Sequence, residues 1–142
     1  MYGHVDGPRH WAENIALARD VLRDTGGFTE FVPPGFVHYN APIFLDGLAR
    51  PGPSVGENLR MHAVARIMLH GFIPNIQVSW VKLGVQLSQR CLQAGANDFG
   101  GTLMEETISR SAGANHGQHM RPQEFRHLIR DIGRVPAQRN TL

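Results

Sequence analysis

The sequence contains a single cysteine, Cys91, among its 142 residues. One cysteine cannot form a disulfide within the chain, which is typical of proteins in a reducing compartment. It also cannot supply the several thiolates of a cysteine-only zinc site or iron–sulfur cluster, so such sites held within this chain are excluded. We therefore expect a cytoplasmic protein.

Long apolar runs are also missing from the sequence. No stretch approaches the roughly 20 consecutive apolar residues that a membrane helix needs. Residues 1–6 do not combine a basic patch with an apolar stretch, so no signal peptide is visible. Hydrophobic residues make up 42% of the chain and charged residues 18%, which is typical of a globular protein with one core. We predict a single segment spanning residues 1–142, with no membrane partner.

Lysine is almost absent, because Lys82 is the only lysine beside 13 arginines. The chain has six arginines from Arg110 onward, and its only acidic residues there are Glu124 and Asp131. Basic segments of this kind sometimes bind nucleic acid. These arginines are spaced through a helical pattern without interleaved aromatic residues, so we interpret them as a solvated helix face and expect no nucleic-acid partner.

Helical and strand-like segments alternate along the chain. Apolar residues at helical spacing predict a helix over residues 8–25, and Pro122 begins a last helix. Capping boxes at Ser54/Glu57 and Thr102/Glu105 begin two more helices, the first reaching His70. Strand signals lie near residue 1 and at 28–32, 73–81, 96–99 and 135–142, and a helix is predicted over 85–94. A long loop over residues 33–53 holds five prolines.

This alternation predicts an α/β fold with a parallel sheet. A strand and its helix take about 30 residues in a (β/α)8 barrel of about 250 residues, so this length supplies about five strands. We predict the C-terminal part of a TIM-type barrel that does not close by itself. Because the first strand signal has no lead-in, we expect the chain to be cut from something longer. The alternative is a small doubly wound sheet.

Barrel enzymes carry their active sites at the C-terminal ends of the strands, and polar residues stand at several of these ends. A histidine there can act as an acid, a base or a substrate donor, and a carboxylate pointing inward needs a partner. Period two places Asn75, Gln77 and Ser79 on one strand face, a wall able to bind a heterocycle or a sugar. The candidate ligand-contacting residues are His4, Glu30, His38, Gln77, Ser79, Asn97 and Asp98. Each also has a purely structural interpretation, such as a hydrated surface side chain or a turn residue.

The pair His116-x-x-His119 is the only close pair of histidines. Because no carboxylate is placed beside it as in His-Glu-x-x-His, we predict no metal site, although a zinc hydrolase stays as a minor alternative.

The strand-end segments together resemble one family, FO synthase. The resemblance is carried by residues 1–5, 28–33, 49–53, 61–66, 75–84, 95–106 and 133–141, which include Asn75-Ile76-Gln77-Val78-Ser79-Trp80 and Ala96-Asn97-Asp98-Phe99-Gly100-Gly101-Thr102. The chain is similar to the tyrosine-using part of that enzyme, a separate subunit or the C-terminal half of a fused protein. Menaquinone-pathway relatives, aminofutalosine synthase and the cyclic futalosine enzyme, fit less well.

The resemblance implies a radical S-adenosylmethionine barrel with a [4Fe–4S] cluster. Such an enzyme joins the 4-hydroxybenzyl group of tyrosine to 5-amino-6-(D-ribitylamino)uracil in deazaflavin cofactor biosynthesis. The family's Cys-x3-Cys-x2-Cys loop is absent here, Pro34-Gly35 replaces Leu-Pro, and Phe99 replaces a usual leucine. We therefore expect the chain to be inactive alone and to need the front half of the barrel, in cis or in trans. The catalytic residues are not identified, and we place Arg139 near an anionic group.

A second hypothesis is a non-catalytic barrel fragment that binds substrate or assembles with a separately encoded front half. Its open sheet edges would require that partner.

Overall fold

Helices make up nearly half of the computed structural model, which describes residues 1–102, 107–117 and 119–140. The elements in chain order are α1 (Pro8–Thr25), β1 (Glu30–Phe31), α2 (Pro42–Leu45), α3 (Val55–Met68), β2 (Asn75–Ile76), α4 (Trp80–Ala94), α5 (Thr107–Ser111) and α6 (Pro122–Asp131). The α/β fold class is thereby confirmed.

The two strands pair in parallel and form an open sheet. Glu30 lies opposite Asn75, and Phe31 lies opposite Ile76. Two isolated parallel bridges extend the pair, Tyr2 with Gly35 on one side and Gln77 with Asp98 on the other. The parallel segments therefore follow one another in chain order from residue 2 to residue 98. A doubly wound sheet reverses its strand order at a switch point, which this order does not show in the described part of the chain.

The prediction of about five strands is wrong, because the described residues form two strands of two residues each. Proline lacks the N–H that a ladder needs, and Pro33 and Pro34 follow β1 after one residue while Pro74 directly precedes β2. The segment predicted over residues 73–81 already turns after Val78, where the Ser79 carbonyl accepts hydrogen bonds from Lys82 and Leu83. The predicted tail strand is absent from residues 135–140, and residues 141–142 lie outside the described part.

Local signals located several helices correctly. Helix α1 has the predicted bounds and ends at Gly26, and α6 begins at Pro122. At α3 the Ser54 hydroxyl accepts a hydrogen bond from the Glu57 amide and the Glu57 carboxylate accepts one from the Ser54 amide, as predicted. The second capping box depends on Glu105, which lies outside the described residues. Helix α2, inside the predicted loop, was missed.

The core lies between one face of the sheet and helices α1, α3 and α4. Ile76 and Val78 are fully buried on that face, and Ala65 and Leu69 of α3 and Cys91 of α4 pack in the same cluster. The opposite sheet face carries the polar side chains of Glu30, Asn75, Gln77 and Asp98, which line a cavity. The sheet thus separates an apolar core from a polar hollow.

Candidate functional site

A large cavity of about 780 Å³ lies against the polar face of the sheet. Five of the eight predicted contact residues line it, namely Glu30, Gln77, Asn97, Asp98 and Arg139. Residues 134–139 and the first turns of α6 form its opposite wall. We call this space the large cavity, and its volume is within the range of small-molecule sites.

Arg139 joins two carboxylates across the large cavity. Its Nε donates to Asp98 Oδ2 at 2.5 Å, and its Nη2 donates to Glu30 Oε2. The hydrogen bond to Asp98 is the main cause of the raised pKa of Arg139, with further contributions from the charges of Asp98 and Glu30 that outweigh partial burial. The guanidinium of Arg139 is therefore occupied by carboxylates of the chain itself, and this ion-pair triad ties the C-terminal segment to β1 and to the segment around Asp98. A contact between Arg139 and a ligand stays a prediction.

Asp98 is also fixed from the other side, because its Oδ1 accepts a hydrogen bond from the Gly100 amide at 2.8 Å. Only 12% of its side chain is exposed, compared with 32% for Glu30 and 34% for Arg139. The carboxylate at the end of this segment is consequently held in one orientation.

The hydrogen bonds of Asn97 all go to the chain itself. Its Oδ1 accepts from Arg66 Nη2 at 2.6 Å and from the Ile76 amide at 2.8 Å, and its Nδ2 donates to the Pro74 carbonyl at 3.1 Å. Arg66 donates in addition to the Gly95 carbonyl at 2.8 Å and to Pro74 at 3.0 Å. Burial and the nearby charge of Arg134 lower the pKa of Arg66. Asn97 and Arg66 thus hold neighbouring segments together.

Gln77 differs from Asn97, because its side-chain amide is not hydrogen-bonded to any part of the chain that the structure describes. It lines the large cavity and lies between the fully buried Ile76 and Val78, whose side chains occupy the other sheet face. A free amide offers both a donor and an acceptor to a ligand.

The other three predicted residues lie outside the lining of the large cavity. His4 packs edge-to-face on Phe36, with ring centroids 5.7 Å apart. The His38 ring lies 4.2 Å from that of Tyr39 and 4.6 Å from that of Phe44. Ser79 stands at the N-cap position of α4 without a side-chain capping bond.

Asp6 organises the turn that carries His4. Its carboxylate accepts hydrogen bonds from the amides of Gly3 and His4 at 2.9 Å and from the Trp11 indole. Burial raises the pKa of Asp6, but these hydrogen bonds outweigh it and leave the pKa below its ordinary value of 3.8. The ionised carboxylate is therefore the form that stabilises the turn.

We expect Asp6→Asn to lower the free energy of unfolding at neutral pH by about 1–3 kcal/mol, because buried donors lose a charged acceptor. The depressed pKa means that this stabilisation is complete above pH 3.8 and is lost as the pH falls below that value. Urea unfolding from pH 7 to pH 2.5 measures it. The two proteins should converge in acid, Asp24→Asn at an exposed position of α1 should have little effect, and a difference independent of pH would contradict the assignment.

Three further parts of the chain contribute to the site region, although the sequence did not predict this role for them, namely Arg66, Arg134 and α6. Their partners lie far away in sequence, as for Arg66 and Asn97, which are 31 residues apart. The resemblance over residues 133–141 was the one signal that pointed to the closing segment.

The chain does not supply ligands for an iron–sulfur cluster. Cys91 is fully buried in α4, and burial raises the pKa of its thiol to about 11. Within the described ranges, no three His, Cys, Asp or Glu side chains gather as a metal site would require, and this includes His116 and His119. The residues present therefore do not fit the cluster.

Among the described residues, no helix combines the length and apolar character needed to cross a bilayer.

The sequence profile of the family described as CofH/MqnC C-terminal region matches residues 25–142. The chain is 57% identical over 142 residues to a 5-amino-6-(D-ribitylamino)uracil--L-tyrosine 4-hydroxyphenyl transferase of Methanopyrus kandleri, all of the chain and 38% of that protein. The corresponding transferase of Methanothermobacter thermautotrophicus is 54% identical over 142 residues, 39% of its length. An FO synthase of Mycobacterium leprae is 57% identical over 141 residues, 99% of the chain and 16% of that protein. The chain thus spans about two fifths of the transferases and about a sixth of the FO synthase.

Proposed function

Because the chain belongs to the CofH/MqnC C-terminal region family, we propose that it is part of a radical S-adenosylmethionine transferase of the FO synthase type. The longer protein would join the 4-hydroxybenzyl group of tyrosine to 5-amino-6-(D-ribitylamino)uracil. The observation that carries this proposal is 57% identity along the entire chain to a transferase named for these two substrates.

The proposed architecture is the C-terminal part of a TIM-type barrel. Parallel segments that follow one another in chain order, with helices packed on their apolar face, support it. The large cavity would then lie inside the barrel, where Glu30, Gln77 and Asp98 point from successive segments.

We propose that the large cavity receives the ribitylaminouracil. A heterocycle with a polyhydroxylated chain requires many hydrogen-bond partners, and Gln77 supplies an uncommitted amide there. Asn97 and Arg139 act indirectly, since their polar atoms hold the surrounding strands and carboxylates in place. His4, His38 and Ser79 remain proposed contacts from their positions on the strand-end loops.

The cluster and S-adenosylmethionine belong to the proposal for the longer protein. The cluster when bound would supply the electron that cleaves S-adenosylmethionine. Its ligands have to come from another segment, because the single thiol of this chain is buried in α4. We propose the cytoplasm as the location, in keeping with that free thiol.

The second candidate function is assembly with a front half of the barrel encoded separately. The open sheet supports it, since among the described residues Tyr2 and Asp98 each bridge to a neighbouring segment on one side only. An isolated chain that is aggregated or molten, with weak near-ultraviolet dichroism, would fit this candidate, whereas a cooperative melt of a monomer would contradict it.

The experiment is an anaerobic assay of the protein at its natural length with S-adenosylmethionine, tyrosine and the aminouracil, in which mass spectrometry detects the coupled product. We expect product from this protein and none from the 142-residue chain by itself. Gln77→Ala should reduce kcat/KM about 10- to 100-fold, equivalent to one lost hydrogen bond to a polar ligand. Gln86→Ala, an exposed change on α4, is the matched control and should leave kcat/KM unchanged. Absence of product from an intact, cluster-loaded protein would refute the function.

A further inference from the structure

A second, smaller cavity of about 200 Å³ lies apart from the large cavity, and the two share no lining residue. We call it the small cavity. Lys82 and His116 supply its cationic and imidazole groups, and Phe36, Leu83 and Leu87 form its apolar wall. It lies between the loop that follows β1 and the N-terminal half of α4.

The kink in α4 allows His116 to reach the small cavity. Gly84 has φ 73° and interrupts the helix, and a Cβ atom at this position would stand 2.9 Å from His116 Nδ1. Only glycine accepts both the positive φ and this close approach. The kinked backbone thus holds the imidazole against the helix at the rim of the cavity. Four residues further along α4, the Ser88 hydroxyl donates a hydrogen bond to the Gly84 carbonyl at 2.7 Å.

The nitrogens of Lys82 and His116 are available to a ligand. Neither side chain makes a hydrogen bond or an ion pair with the residues that the structure describes. The other polar side chain of the lining is already committed, because Asn58 accepts from the Tyr2 hydroxyl at 2.5 Å and donates to the carbonyls of Pro53 and Ser54. None of the lining residues is acidic.

We propose that the small cavity binds a small carboxylate with an apolar body. Lys82 and His116 would hold the carboxylate by charge-assisted hydrogen bonds, and Phe36, Leu83 and Leu87 would cover the body. A cavity of about 150 Å³ accommodates benzene, so 200 Å³ matches a ligand of about the size of benzoate. The inference does not depend on the proposed transferase activity.

The experiment is a titration of the protein at its natural length with benzoate, followed through the methyl NMR signals of Leu83 and Leu87. We expect saturable shifts of these signals, and benzamide, which has the same shape without the charge, should bind about tenfold more weakly. Lys82→Met keeps the aliphatic stem and should weaken benzoate binding about tenfold, as should His116→Gln. Arg90→Gln makes the same charge change at an exposed position on α4 and should leave the affinity unchanged.

Competition by L-tyrosine would support the site and assign it to the amino-acid carboxylate, whereas benzoate binding without such competition would support a site for a separate small molecule. Absence of shifts, or equal affinity in Lys82→Met and Arg90→Gln, would overturn the proposal. Since the titration needs no turnover, a failed transferase assay with intact benzoate binding would refute the proposed function alone.

Discussion

Arg139→Gln is expected to lower the free energy of unfolding by about 1–3 kcal/mol, between the values for exposed and fully buried ion pairs. The guanidinium joins Glu30 and Asp98, whose side chains are only 32% and 12% exposed, so the substitution removes the cation that both carboxylates contact. Urea unfolding with an unchanged m-value measures the loss. Addition of salt should reduce it, because screening weakens the repulsion that remains.

The matched control is Arg9→Gln, which removes the pair between Arg9 and Glu13 on the exposed side of α1 and should change stability by less than about 0.5 kcal/mol. Adding Asp98→Asn to Arg139→Gln should recover part of the loss, since one uncompensated charge disappears. Arg139→Lys should give an intermediate result, because a single ammonium does not reproduce the fork that reaches two carboxylates. Equal effects of Arg139→Gln and Arg9→Gln would show that the triad is not a structural link.

The triad also shows where inference from the sequence ended. An anionic partner for Arg139 was predicted, but Glu30 lies 109 residues away and Asp98 lies 41 residues away. Pairing over such distances depends on how the segments pack, which local patterns do not encode. Asn97 was predicted as a ligand contact on equal terms with Gln77, and only the structure distinguishes the committed amide from the free one.

Features encoded by neighbouring residues were predicted well. The Ser54/Glu57 box needs only a four-residue motif, and the alternation of Gln77 with the buried Ile76 and Val78 needs only period two. Strand length was overpredicted for a physical reason. An apolar run becomes a strand only where a neighbour accepts its hydrogen bonds, and the prolines beside β1 and β2 interrupt that ladder.

Gly52→Ala should destabilise the protein by about 3 kcal/mol or more. Gly52 has φ 88°, and a Cβ atom would stand 2.5 Å from the Phe36 carbonyl oxygen, a backbone atom that cannot move aside alone. The strained φ contributes about 1–2 kcal/mol and the clash contributes the remainder. Gly47→Ala isolates the first contribution, because Gly47 has φ 72° with no atom within 4 Å of a new Cβ.

The difference in stability between Gly52→Ala and Gly47→Ala measures how closely residues 50–53 pack over the end of β1. Phe36 lies there against His4, and the Arg50 amide donates to the His4 carbonyl at 3.2 Å. An alanine at residue 52 should therefore displace the His4 ring as well, which its NMR signals would reveal, whereas an alanine at residue 47 should not. If both variants lose the same stability and leave the His4 signals unshifted, the contact between Gly52 and Phe36 does not hold this loop. The positive φ alone would then account for the requirement for glycine at residue 52.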